Sequence, residues 1–145
     1  MRYTILISIF LFAVLSGCNE EKFKTTPALK FNSVNTTELR SGQTIQFKLS
    51  FTDAEGDLTD SIFVQKVVPT CVQSSFDQLY PLPLFPTTTN QKGDIVVTMG
   101  FNANPYPQVD PKCGQDEIAV FRFVLRDKAN HASDTISSPP ITIFY

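Results

Sequence analysis

Four carboxylates fall within eight positions of the stretch SFTDAEGDLTDSIFV, residues 50–64: Asp53, Glu55, Asp57 and Asp60. Oxygen ligands at this density suit a hard cation. Calcium takes six to eight oxygens at ~2.3–2.6 Å, drawn from carboxylates, carbonyls and water. Gly56 lets the chain fold back through a positive φ. A second polar stretch, RDKANHASD at 126–134, carries Asp127, Asn130, His131 and Asp134. Asp53, Glu55, Asp57 and Asp127 are the candidate calcium ligands, provided the two stretches meet. The spacing is not that of an EF-hand, which wants glycine sixth and glutamate twelfth; here glycine is fourth from Asp53 and Val64 is twelfth. The competing reading is a solvated turn, because Asp and Gly are favoured in turns for their own backbone reasons.

Other chemistries find no residues to carry them. No G-x-S-x-G follows a strand pattern, and neither H-E-x-x-H nor a phosphate-cradling glycine loop occurs. The one histidine, His131, sits in a polar turn, and the chain has no tryptophan. Paired acids can hydrolyse glycosides, but these lie on a short turn without a groove. The expectation is a protein that is not an enzyme. With 12 Lys and Arg against 14 Asp and Glu the net charge is −2, and no basic stripe offers itself to nucleic acid.

The elements that must position the acids read as strands. Residues 44–51 alternate without a fault, Ile45, Phe47, Leu49 and Phe51 on one face and Thr44, Gln46, Lys48 and Ser50 on the other. Further strands are expected at 28–34, 62–68, somewhere in 78–90, and at 94–101, 117–126 and 135–145. No window shows helical spacing. Ten prolines and about seven short strands predict an all-β fold, a single immunoglobulin-like β-sandwich. In that topology the 53–60 and 127–134 connections emerge at one end. The end of the 62–68 strand lies beside the start of 117–126 at the other, which places Cys71 near Cys113 and predicts one disulfide. Residues 69–93, with LYPLPLFP at 79–86, and FNANPYPQVDPKCG at 101–114 are assigned to that opposite end. Their aromatic residues either bind an extended partner or a glycan or cover the sheet. Strand 117–126 favours the cover: if Ala119, Phe121, Phe123 and Leu125 fill the core, Ile118, Val120 and Val124 face outwards.

The N-terminus speaks to location. Arg2 precedes an apolar run at 5–15, the length of a signal-peptide core and short of the ~20 residues a spanning helix needs. It ends in Leu15-Ser16-Gly17-Cys18, which resembles the bacterial lipobox. The resemblance implies cleavage before Cys18 and its acylation, hence anchoring to a membrane through lipid. The expected organisation is a signal peptide at 1–17, a lipidated cysteine and tether at 18–27, and the sandwich at 28–145. From Cys18 onward 128 residues remain, enough for one domain with a sizeable core. Asn19-Glu20-Glu21-Lys22 is similar to the acidic surface-export signal of Bacteroidetes-type lipoproteins, which implies an outer-membrane address, surface-exposed or periplasm-facing. An exported pair of cysteines, with no C-x-x-C spacing, fits the disulfide.

The stretch Asp53-Ala54-Glu55-Gly56-Asp57 is also similar to the D-x-[DE]-G-D turns of cadherin-like and other bacterial Ig-like surface domains, some of which bind calcium. FTDAEGDLTDSIFV with VLRDKANHASDT resembles paired segments in Bacteroidetes-type surface lipoproteins. Asp60-Ser61-Ile62 and Asp134-Thr135-Ile136 resemble the short O-glycosylation site of such proteins. These resemblances imply a non-catalytic binding or structural module, or an accessory subunit of a surface nutrient-uptake or adhesion complex.

Overall fold

Alternating apolar residues leave each strand with one face that must be buried, and two sheets facing each other bury both. The computed structural model describes residues 24–145 and takes that form, an all-β immunoglobulin-like sandwich. Among the described residues there are nine strands: β1 Ala28–Val34, β2 Glu38–Leu39, β3 Thr44–Asp53, β4 Leu58–Val67, β5 Phe76–Pro81, β6 Gln91–Gly100, β7 Glu117–Asp127, β8 Ile136–Ser137 and β9 Ile141–Ile143. One sheet has the order β1-β3-β6 and the other β2-β9-β7-β4-β5, with β8 also on β7. Neighbours are antiparallel except β2 on β9. The count exceeds the expected seven because β2 and β8 are two-residue pairings, too short to leave a period in the sequence.

The core forms where the two inner faces meet. Ile45, Phe47, Leu49 and Phe51 from β3 face Ala119, Phe121, Phe123 and Leu125 from β7, and all eight are buried. The Phe47 ring lies 4.8 Å from that of Phe121 and 5.2 Å from that of Phe123, tilted in both cases, as aromatic pairs prefer. At one end Cys71, just after β4, is bonded to Cys113, just before β7, with Cα atoms 6.1 Å apart. Closing a loop of 42 residues stabilises the fold by about 4 kcal/mol in the chain-entropy account.

Two expectations need correcting. The 79–86 segment does not stay at the disulfide end. β5 pairs antiparallel with β4, Phe76 opposite Lys66 and Pro81 opposite Ser61, so it carries the chain back along the sandwich. Residues 82–90 then cross to β6 at the acidic end, where the Asn90 N–H donates to the Ala54 carbonyl at 2.8 Å. Nor does the segment cover the outer face of β7. Tyr80, Leu82 and Phe85 turn into the core, the Phe85 ring 5.2 Å from Phe51, while Ile118 stays 60% and Leu79 64% exposed. A chain committed to an edge strand cannot also lie across the sheet.

Candidate metal centre

The acidic loop is shorter than the sequence suggests. β3 runs on to Asp53 and β4 starts at Leu58, leaving only 54–57 as the connection. Register places Leu58 opposite Asp127, and the Lys128 N–H donates to the Asp57 carbonyl at 3.0 Å. The two polar connections are therefore stitched together by backbone. One carboxylate oxygen each from Glu55, Asp57 and Asp127 lies within 4.8 Å of the others. Glu55 is exposed, Asp57 half-buried and Asp127 buried. Oxygens separated like this can share a cation at normal ligand distance.

Gly56 makes the loop possible. Its φ is +64°, and a Cβ there would sit 2.0 Å from the Thr88 carbonyl oxygen. The crossover at 82–90 presses on the loop's back, so only glycine serves.

Asp53 lies outside that trio but close to Asp57 and Asp127, with no exposed surface. Its Oδ2 accepts the Asp57 N–H at 3.0 Å, whereas its Oδ1 is buried with no hydrogen-bond partner among the described residues, and so is Oδ1 of Asp57. Burial raises the Asp53 pKa above the usual carboxylate value; the Asp57 and Gly56 N–H groups counter this in part, and the charges of Asp57 and Asp127 add to it. Gln91 stands opposite Asp53 on β6. Its Nε2 donates to the Pro86 carbonyl at 3.0 Å, and its Oε1 is a third buried oxygen without a donor among the described residues. Asp127 is better held: His131 gives its backbone N–H to Oδ1 and sets Nδ1 against Oδ2, both at 2.7 Å. Among the described residues no lysine or arginine nitrogen comes within 4.0 Å of these four carboxylates. The end is rich in acceptors and poor in donors.

The opposite end contains a second polar cluster that the sequence reading missed. Lys66 and Glu117 are both buried and 3.2 Å apart. Lys66 Nζ also donates to Ser74 Oγ and to the Val109 carbonyl, each at 3.0 Å. Ser74 Oγ donates to Glu117 Oε2 at 2.6 Å, and the Lys112 N–H to Oε1 at 2.9 Å. Burial alone would raise the Glu117 pKa, but Ser74, the Lys112 N–H and Lys66 together hold it below the usual range. Burial draws the Lys66 ammonium down from its usual value, with Glu117 opposing. The signal was present: Lys66 occupies the inward parity of Ile62, Val64 and Val68, and Glu117 that of Ala119 and Phe121. Cys71 and Cys113 lie close to Glu117, but their sulfurs are spent in the disulfide.

Cys18, the expected lipidation site, and the signal peptide at 1–17 lie outside the described residues. Among those described, no helix is long and apolar enough to cross a membrane.

No protein-family model matches the chain, and no curated protein sequence does. Among solved structures it is similar to Spo0M, a sporulation control protein from Bacillus subtilis (10% identity, 83% of this chain and 50% of that one, TM-score 0.47). This chain thus spans about half the length of Spo0M. It is also similar to a Niemann-Pick type C2 protein from Japanese carpenter ant (12% identity, 84% of this chain and 98% of that one, TM-score 0.43). A third is the CARDB domain of the PF1109 protein from Pyrococcus furiosus, solved in complex with di-metal ions (9% identity, 84% and 97%, TM-score 0.35). At these scores the likenesses are distant and say nothing about a ligand or an activity.

Proposed function

We propose that the chain is a lipid-anchored, non-catalytic binding or structural module of the outer membrane, with calcium at its acidic end. The observation that carries the calcium assignment is the gathering of Glu55, Asp57 and Asp127, with buried Oδ1 atoms on Asp57 and on the neighbouring Asp53 that find no hydrogen-bond partner among the described residues. Buried carboxylate oxygens without donors are costly, and a bound cation removes that cost. Carboxylates of mixed exposure, set on a short loop and a strand end rather than at six fixed octahedral positions, suit calcium's loose geometry better than the strict octahedron of magnesium. The anchor rests on the lipobox-like Leu15-Ser16-Gly17-Cys18, and the surface address on its resemblance to Bacteroidetes-type lipoproteins.

A second reading, the accessory subunit of a surface uptake or adhesion complex, is favoured by one feature. Phe63, Leu79 and Val124 line an uncovered cleft of about 630 Å³ on the outer face of the larger sheet. Such a subunit would bind no glycan or small ligand alone and would co-purify with its partner.

Calorimetric titration of the purified protein tests the calcium assignment. One ion per chain is expected, with binding weakened at least tenfold in Asp57→Asn; an absence of heat would leave only a turn. Cys18→Ser is expected to release the protein from the membrane fraction, and a mutant that withstands a salt wash there would contradict the anchor.

A further inference from the structure

The chain first touches the described domain on the acidic loop itself. The Ala54 N–H donates to the Lys24 carbonyl at 3.1 Å, and β1 then begins with Ala28 opposite Thr52. Cys18 is six residues before Lys24, a span of at most about 20 Å even when fully extended. Strands of ten residues such as β3 and β4 are ~33 Å long. A lipid on Cys18 therefore confines the acidic end to within about 20 Å of the membrane, and the disulfide end is free to lie a strand's length further off.

That end also bears features that suit a bilayer surface. Leu84, at the tip of the 82–90 crossover, is 90% exposed. It shares a cleft with Pro83, Phe85, Leu58 and the exposed Lys128. An apolar tip beside a cation fits the headgroup boundary. The carboxylates beside them oppose it, because their charge repels anionic phosphates within a Debye length of ~8 Å.

We infer that the acidic end is a calcium-dependent docking surface for anionic lipid headgroups. The proposal rests on the calcium and anchor readings above. Three carboxylates leave part of a six-to-eight-oxygen shell unfilled, and Glu55 places the ion at the surface. A lipid phosphate completes the shell, Lys128 pairs with a neighbouring phosphate, and Leu84 enters the interface. Without the ion the domain stands off on its tether; with it, the domain seats.

The absence of tryptophan makes single-tryptophan probes clean. Leu84→Trp reports the acidic end, and Val72→Trp, at a position 79% exposed beside Cys71, reports the other. The acylated protein is reconstituted into vesicles of phosphatidylglycerol and phosphatidylcholine carrying a dansyl-labelled lipid. In calcium, energy transfer from the Leu84→Trp protein is expected to be at least threefold that of the Val72→Trp protein. Chelator lowers the former at least twofold, Asp57→Asn abolishes the calcium response, and vesicles of phosphatidylcholine alone give none. Inorganic phosphate, at a concentration that leaves calcium free, competes for the same open ligand positions and is expected to lower the signal. A calcium response equal on vesicles with and without phosphatidylglycerol would overturn the headgroup as the partner. Equal transfer from both probes, or transfer indifferent to calcium while calorimetry still finds the ion bound, overturns the docking and spares the calcium site. Loss of the calorimetric signal, or protein that washes off the vesicles, overturns the underlying reading instead.

Discussion

Asp53 and Glu117 are both fully buried carboxylates, one near each end of the sandwich, and their surroundings treat them in opposite ways. Glu117 meets the Lys66 ammonium from β4, the Ser74 hydroxyl and the Lys112 N–H, and the disulfide joins the segments that supply the last two. Asp53 meets only backbone N–H groups of its own loop, and its Oδ1 has no hydrogen-bond partner among the described residues, with the charges of Asp57 and Asp127 close by. Their pKa values accordingly move apart, Glu117 down and Asp53 up. A buried acid needs a counter-charge or a proton. One end carries its counter-charge in the chain; the other, on our account, takes it from solution.

The strongest way to break that contrast is to remove the internal cation. Lys66→Met leaves Glu117 buried with hydrogen bonds but no opposing charge, and is expected to cost about 3–5 kcal/mol in urea unfolding. Lys66→Met with Glu117→Leu should recover most of it, since an apolar pair of similar volume suits the site. If Lys66→Met alone is nearly neutral, the pair is not the self-contained device described here. At the acidic end the sign reverses: Asp53→Asn, measured in chelator near neutral pH, is expected to stabilise the fold, because it removes a buried charge that no cationic side chain among the described residues balances.

Acid titration in chelator sharpens the same contrast with a smaller effect. Between the ordinary value of 3.8 and the raised folded value of Asp53, the folded state holds the extra proton. Stability therefore rises as pH falls through that window. Glu117 does the opposite: below its ordinary value of 4.5 and down to its lowered folded value, the unfolded chain holds the extra proton, so stability falls with pH. Melting temperature against pH should pass through a maximum on the acid side of neutral. Asp53→Asn or saturating calcium should flatten the neutral flank while leaving the acid flank in place. A curve that declines steadily from pH 7 downwards in chelator would contradict the Asp53 assignment.

Much of the scaffold was legible because strands write their burial into every second residue. The alternation at 44–51 and the inward set Ala119, Phe121, Phe123 and Leu125 gave strand, face and partner sheet together. The disulfide followed from strand adjacency. The losses have physical causes. The 79–86 segment is apolar on both its edge-strand and crossover stretches, so its composition could not say at which end it lies; pairing with β4 decides that. Gln91 is an ordinary polar residue whose role comes only from standing opposite Asp53. Lys66 and Glu117 did leave a mark, a charge at inward parity on each of two neighbouring strands, and such a coincidence can be sought in other sandwiches. At the acidic end the residue types pointed to oxygen ligation, but the sequence could not show that β4 begins at Leu58, which draws Asp57 and Asp127 together.

The most direct measurement is the melting temperature of the purified protein in calcium and in chelator, with Asp57→Asn alongside. Binding to the folded state at a hundredfold excess over Kd adds about 2.7 kcal/mol, which for a domain of this size is a rise of several degrees. That rise is expected at neutral pH, and undiminished in Lys48→Ala, whose lysine pairs with Asp94 away from the acidic loop. In Asp57→Asn it is cut by about half or more, because a tenfold weaker site keeps only about 1.4 kcal/mol. A melting curve that is the same in calcium and in chelator would contradict the claim that this end takes its cation from solution.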